Sequence, residues 1–439
     1  MSNILILFLL SCVTGAAQAG HFLFWAPVAC EADYILMRDI GQELAKRGHE
    51  ATLVGGYKYS TKNEEGIKEI VINSTFDKMI DALLGIGQLQ KRDDRYRLTV
   101  NTVIDSNRNA LTHPQVVDLM KTKHVDVLIA LPELGAPYFL AQKKNASLVL
   151  FTRSMRASPL ISWANGDTYN PSYMKGQLMR PYDGHPLYEA GSNTKLTFRR
   201  RLTNSILTVV KYFLDTKLAL PQLRRMLAEE FPDESIPQVD DFFKDTALTI
   251  SNDNPFLSDG PRPVMPKTLL AGMMNCKSKN QLEPLPNELK DWVEGAEHGV
   301  ILVSFGSVLQ LHHITEEKRQ LLVSVFGRLK QRIIWKMKKP ISNAPNNTLL
   351  YPWLPQQSLL AHDNVKLFIT HGGAGSFQEA ICHKTPIVGI PFVEDQFLNV
   401  DEATRKHIGV HVNFDTMTEE SLANSINEVL NNTRQPSLN

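Results

Sequence analysis

The chain has 439 residues, with 47 Lys+Arg against 46 Asp+Glu for a formal net charge of +1, and is 43% apolar and 21% charged. This composition excludes a disordered or collagen-like chain, and the balanced charge excludes a general nucleic-acid binder, which carries a basic excess. The length allows roughly two or three domains, each able to bury a core.

The N-terminus opens with an apolar run over residues 4–10, and small residues follow it up to Ala17-Gln18-Ala19. An apolar core followed by A-x-A predicts a secretory signal peptide over 1–19. The alternative, an anchor helix, needs about 20 apolar residues, more than the run supplies. No later stretch approaches a membrane span, so the expectation is a chain in the endoplasmic reticulum lumen or secreted, without a transmembrane anchor. Asn73, Asn145, Asn346 and Asn431 begin N-x-S/T sequons, which are usable only in that compartment. Cys30, Cys276 and Cys382 are far apart and form no C-x-x-C pair, so they read as buried small hydrophobes rather than a disulfide framework or zinc ligands.

The first half begins with a strand-like run from His21 to Ala26, then apolar positions at helical spacing over 34–47. Gly48 stops that helix, and a second strand starts at Glu50. A β-α-β unit of this kind implies a parallel sheet. Residues 125–130 and 146–151 read as further buried strands. Loops over about 55–120 and 155–195 carry no motif. Residues 195–231 read as helical, with Lys195, Arg199, Arg200, Arg201 and Lys211 interleaved among apolar positions. Two readings stand for this segment: peripheral membrane contact through 195–213, or a surface helix packed on its own domain. The proline-rich stretch 254–298 reads as an interdomain linker between a domain over 20–253 and a domain over 299–439.

The second half is more regular. Strands are expected over 300–305, 332–336, 365–370, 386–391 and 409–414. Thr315 is placed to N-cap a helix with Glu316 and Glu317 in its first turn, and Thr418 to cap a final helix through Asn431. His371-Gly-Gly-Ala-Gly-Ser376 joins a buried strand to a helix over about 374–383. Glycines let backbone N–H groups approach an anion, and the helix N-terminus adds positive potential, so this turn is a candidate phosphate cradle. It is not a Walker loop, because Gly-Lys-Ser/Thr is absent. The dinucleotide pattern G-x-G-x-x-G fails at Gln378, which disfavours a nicotinamide enzyme.

Tyr351-Pro-Trp353-Leu-Pro-Gln356 lies upstream of this turn and Glu394-Asp395-Gln396 downstream. With these three motifs together, the chain resembles the UDP-glycosyltransferase family, most closely its animal glucuronosyltransferase-like branch. The resemblance implies a GT-B architecture of two facing doubly wound, Rossmann-like α/β domains. The N-terminal domain would bind a small lipophilic acceptor and the C-terminal domain a UDP-sugar. It implies that Trp353 stacks on uracil, Gln356 lies near the nucleotide and Glu379 accepts hydrogen bonds from the ribose. His371, the Gly373 amide, Ser376 and Ser307 would hold the diphosphate, and Asp395 and Gln396 the sugar hydroxyls. The expected reaction is inverting hexosyl transfer without a metal or other cofactor, and no Asp-x-Asp pair occurs in the chain.

The family's general-base histidine is replaced. A gap-free count back from Arg47-Gly-His49 puts Asp33 at that position, and the usual orienting Asp reads Leu131. Either Asp33 takes the acceptor proton directly, with Glu31 and Glu133 as reserves, or the chain is a non-catalytic UDP-sugar-binding member that associates with active relatives. Animal members continue past the last helix into a membrane anchor and basic tail, so a chain stopping at Asn439 reads as a shortened form.

Overall fold

The computed structural model describes residues 19–58, 66–75, 92–132, 135–152, 162, 165–167, 198–238, 241, 245–254, 257, 264–306, 314–337, 341, 343–392 and 395–431. The chain divides into two compact units. The first comprises Met1–Gly176 and Leu202–Met274, the second Gln177–Arg201 and Asn275–Asn439.

The first unit is built on seven parallel strands: β1 (His21–Ala26), β2 (Glu50–Gly55), β3 (Ile67–Val71), β4 (Val127–Ala130), β5 (Ser147–Thr152), β6 (Thr246–Ser251) and β7 (Thr268–Leu270). Their order in the sheet is 3-2-1-4-5-6-7. All six residues of β1 are buried, as expected of a central parallel strand covered on both faces. The pleat sends Leu23 and Trp25 to one apolar core and Phe22, Phe24 and Ala26 to the other. Helix α1 (Glu31–Lys46) lines the second core with Tyr34, Leu36, Met37 and Leu44. Helices α2 (Arg92–Leu111), α3 (Pro114–Thr122) and α4 (Ala136–Lys144) cover the first.

Helix α1 ends as its sequence predicts. Gly48 takes φ +88°, its N–H donates to Ala45 O (2.9 Å), and the His49 N–H donates to Leu44 O (3.2 Å). This paired closure satisfies carbonyls the helix leaves open. His49 then accepts from the Gly20 N–H (3.2 Å) and packs edge-on against Phe22, a structural role.

Three expectations change in this unit. The stretch 55–120 is not loop throughout, since it holds β3, α2 and the start of α3. The 254–298 stretch is not a linker: β7 pairs in parallel with β6, helix α7 (Asn287–Glu294) belongs to the second unit, and the division falls between Met274 and Asn275. The basic segment forms α5 (Phe198–Leu214), a π turn (Asp215–Ala219) and α6 (Leu220–Glu230), and α5 is turned inside out. Its inward side is polar, with Asn204 and Thr208 buried, while Phe198, Leu202, Ile206, Val209, Val210 and Phe213 are exposed. The helix packs on its own domain, but by its polar side rather than an apolar one.

The second unit has six parallel strands: β8 (Val300–Ser304), β9 (Arg332–Lys336), β10 (Thr348–Tyr351), β11 (Val365–Thr370), β12 (Ile387–Gly389) and β13 (Gly409–His411), in the order 10-9-8-11-12-13. Helices α8 (Glu316–Gly327), α9 (Gln356–Leu360), α10 (Ala374–Cys382), α11 (Asp395–Arg405) and α12 (Glu419–Asn431) complete it. Both predicted caps form. Thr315 Oγ1 accepts from the Lys318 N–H (3.3 Å), and Thr418 Oγ1 from the Ser421 N–H (3.1 Å).

The cysteines correct another expectation. Cys276 and Cys382 form a disulfide with Cα atoms 5.9 Å apart, and only Cys30 is a buried free thiol among the described residues. The pair is separated by 106 residues, so spacing gives no sign of it, yet the fold brings the start of the second unit beside the last residue of α10.

Candidate functional site

An open parallel sheet binds ligands outside the carboxyl ends of its strands, where the strand order reverses. That point lies between β8 and β11 in the second unit and between β1 and β4 in the first. Asp33, His371, Gly373, Ser376 and Glu379 follow the strands that flank these points, whereas Trp353 and Gln356 follow β10 and Asp395 and Gln396 follow β12.

In the second unit, β11 delivers His371 and the glycine turn into α10. Gly373 is the N-cap residue of α10. The buried His371 ring is clasped by two glycines: a Cβ on Gly306 would stand 2.7 Å from its Cε1, and one on Gly373 2.5 Å from its Nε2. Any side chain at either position displaces the ring. Ser307, one residue beyond Gly306, lies outside the described residues, as do Glu133 and Glu394.

Gln356, the first residue of α9, bridges to the next helix. Its Nε2 donates to Ser376 Oγ (3.1 Å) and to Glu379 Oε2 (2.6 Å). Ser376 and Glu379 are three apart on α10 and share a face, so one amide gathers both. Burial pushes the Glu379 carboxyl up to about 7, against the opposing pull of Gln356, Lys277 and Lys336. Trp353 is 48% exposed, and the Lys336 ammonium sits 4.3 Å from its ring centroid.

Asp395 and Gln396 begin α11 in different settings. Gln396 is buried, and its Oε1 accepts from the Phe392 N–H (2.8 Å), so this oxygen holds the loop before the helix. Asp395 Oδ2 accepts from Asn399 Nδ2 (3.0 Å), which also donates to Gly372 O (2.9 Å). Asn399 thus ties the glycine turn to Asp395.

Sequence reasoning missed three contributors here: Lys336, Asn399 and the segment from Asn275 to Lys277. Two had a readable signal. Lys336 ends a strand that was expected, and sheet register sets it beside Tyr351, two residues before Trp353. Asn399 is one helical turn after Asp395. The segment from Asn275 to Lys277 had none. It is fastened to α9 and α10 by the disulfide and by the Lys277 N–H donating to Gln357 Oε1 (2.8 Å).

In the first unit, Asp33 lies in the first turn of α1, directly after β1. It is buried, and Oδ2 accepts from the Cys30 thiol (3.2 Å). Leu131 follows β4 across the switch point and packs against the core that holds Phe24 and Tyr34. Glu31 is the first residue of α1.

Two doubly wound parallel-sheet units are the GT-B architecture of glycosyltransferases, and a glycine-rich turn lies at the switch point of the second. The kitacinnamycin glycosyltransferase structure matches this fold with a TM-score of 0.61 at 17% identity, over 96% of this chain and 92% of that one. Among sequences, UDP-glucuronosyltransferase 2A3 of Cavia porcellus is 27% identical over 97% of this chain and 80% of its own length. UDP-glucosyltransferase 2 of Dactylopius coccus is 24% identical over 98% and 81%. The family described as UDP-glucoronosyl and UDP-glucosyl transferase matches residues 21–436, and the chain belongs to it.

Proposed function

We propose that this family member transfers a hexosyl group, glucuronic acid or glucose, from a UDP-sugar to a hydroxyl of a small lipophilic acceptor, with inversion and without a metal or other cofactor. The observation that carries the reading is the Gln356–Ser376–Glu379 cluster beside the His371–Gly373 turn.

Trp353 would offer a planar face to uracil, and Glu379 would accept from the ribose hydroxyls. The His371 ring, the Gly373 amide, Ser376 and Ser307 would hold the diphosphate, with Asp395 and Gln396 toward the sugar. Preorganised donors at a helix N-terminus stabilise the negative charge that develops on the departing UDP. The acceptor oxygen attacks the anomeric carbon as the bond from that carbon to the diphosphate oxygen breaks. Its proton passes to the Asp33 carboxylate, and UDP leaves with the bonding electrons. Burial of Asp33 and the apolar Leu131 side chain support direct proton transfer to this carboxylate.

The departure from the usual His/Asp pair favours one other reading, a UDP-sugar-binding member without turnover that associates with active relatives. UDP release by the purified chain, measured over a panel of UDP-sugars with phenolic and steroid acceptors, separates the two. Turnover that is lost in Asp33→Asn supports transfer with Asp33 as base. UDP binding without turnover supports the second reading, and full turnover in Asp33→Asn removes Asp33 from the mechanism.

We also place the chain in the secretory pathway. The Cys276–Cys382 disulfide and the exposure of all four sequon asparagines support that setting. No helix among the described residues is long and apolar enough to cross a membrane.

A further inference from the structure

The side chain at the cap of α1 serves a carboxylate, not the helix. Cys30 is the N-cap residue, in extended backbone. A side chain at that position ordinarily accepts from a backbone N–H in the first turn, which is why Ser, Thr, Asp and Asn are favoured there. Cys30 makes no such bond. Its thiol donates instead to Asp33 Oδ2 (3.2 Å), from the cap to the third helical residue. Both residues are buried, and a carboxylate removed from water needs donors in its place. The thiol also stands on fixed backbone. The Ala29 N–H donates to Ala26 O (3.3 Å) and the Tyr34 N–H to Cys30 O (3.0 Å), so the end of β1, the cysteine and the first turn of α1 are tied together.

We propose that Cys30 is a positioning residue for the transfer reaction: its thiol holds the Asp33 carboxylate in the orientation from which it takes the acceptor proton. The inference rests on the reading of Asp33 as base. Proton transfer needs heavy atoms about 2.6–3.2 Å apart, and a misplacement of about 1 Å costs on the order of a hundredfold in rate. The residue expected to orient the base from β4 is Leu131, whose side chain carries no hydrogen-bonding atom. Orientation comes from the cap of the base's own helix instead. A thiol fits this task because it is a weak donor. It directs the carboxylate without competing strongly for the electron pair that receives the proton.

The test pairs infrared spectroscopy with kinetics on the full chain. The Cys30 S–H stretch is isolated as the difference between wild type and Cys30→Ser. A charged acceptor weakens the S–H bond more than a neutral one, so the band should move to higher frequency in Asp33→Asn. With UDP-glucuronic acid or UDP-glucose and a phenolic acceptor, Cys30→Ala should lower kcat roughly ten- to hundredfold with KM for both substrates unchanged. Cys30→Ser, which keeps a donor in place, should restore most of it. The infrared arm decides the matter if Cys30→Ala fails to fold. A band that stays put beside an inactive Asp33→Asn overturns the proposal and leaves Asp33 as base. Wild-type kcat in Cys30→Ala overturns it, and so does a loss that Cys30→Ser does not restore, which marks a packing role. Full turnover in Asp33→Asn, or none in wild type, is a failure of the base itself and removes this inference with it.

Discussion

The Lys336 ammonium stands over one face of the Trp353 indole, 4.3 Å from the ring centroid. An exposed cation–π contact contributes about 0.5–1 kcal/mol and fixes the plane of the ring. If that plane is the platform for uracil, Lys336→Met should raise the dissociation constant for UDP about two- to fivefold at unchanged thermal stability, and Lys336→Arg should restore it. Quenching of tryptophan fluorescence by UDP measures it. An unaltered affinity in Lys336→Met would separate the contact from nucleotide binding.

Glu379 gives a pH dependence with a defined sign. Its carboxyl is pushed from 4.5 to about 7 by burial, so the folded chain holds this proton more tightly than the unfolded chain does. Its stabilising contribution is full below about pH 4.5, declines as pH rises through about 7, and is gone above that. Glu379→Gln, a neutral amide that spares the fold a buried carboxylate, should therefore exceed wild-type stability near pH 8 by up to about 3 kcal/mol. At pH 5 the advantage should vanish. Denaturant unfolding at the two pH values measures the difference, and equal differences at both would show that the carboxyl titrates normally.

Asn399 should act through its two acceptors. Replacing it with Ala leaves Gly372 O and Asp395 without the amide and costs about 1–3 kcal/mol in the folded state. Because both acceptors border the glycine turn proposed to hold the diphosphate, KM for the UDP-sugar should rise while KM for the acceptor stays constant. A variant that lost stability with both constants unchanged would make Asn399 a packing residue only.

Cysteine replacement should be costly. In the chain-entropy account, closing a loop of about 100 residues contributes about 4–5 kcal/mol. Cys276→Ser/Cys382→Ser should move the unfolding midpoint of the second unit to lower denaturant by that order, and reduced wild-type protein should match it. A midpoint unaffected by either treatment would show that hydrogen bonding from Lys277 to Gln357 holds the segment without the covalent link.

The strands of the second unit were the most legible part of the chain. β8 is buried along its whole length and β11 at every residue but Lys366, so their sequences are nearly continuous apolar runs between turn signals. β3 reads Ile-Lys-Glu-Ile-Val at a sheet edge, and β7 has three residues, so neither shows a distinct period. α5 was visible as a helix, but its orientation was not, because an amphipathic repeat says that two faces differ and not which one meets the core. At the candidate site, the residues of the three motifs were found because they are close in sequence. Their supports were missed because they meet through register, as Lys336 does, or through a covalent bond, as Cys276 does.

That bond also sets a schedule for the growing chain. At about 5–20 residues per second, the 106 residues from Cys276 to Cys382 take roughly 5–20 s to synthesise. For that interval the Cys276 thiol has no partner of its own, and Cys30 is the cysteine already made beyond the expected signal peptide, which carries Cys12. Cys30 is 4% exposed, beneath the first turn of α1, in a unit whose strands were all completed by Leu270. Early folding of the N-terminal unit therefore hides the wrong thiol before the right one emerges.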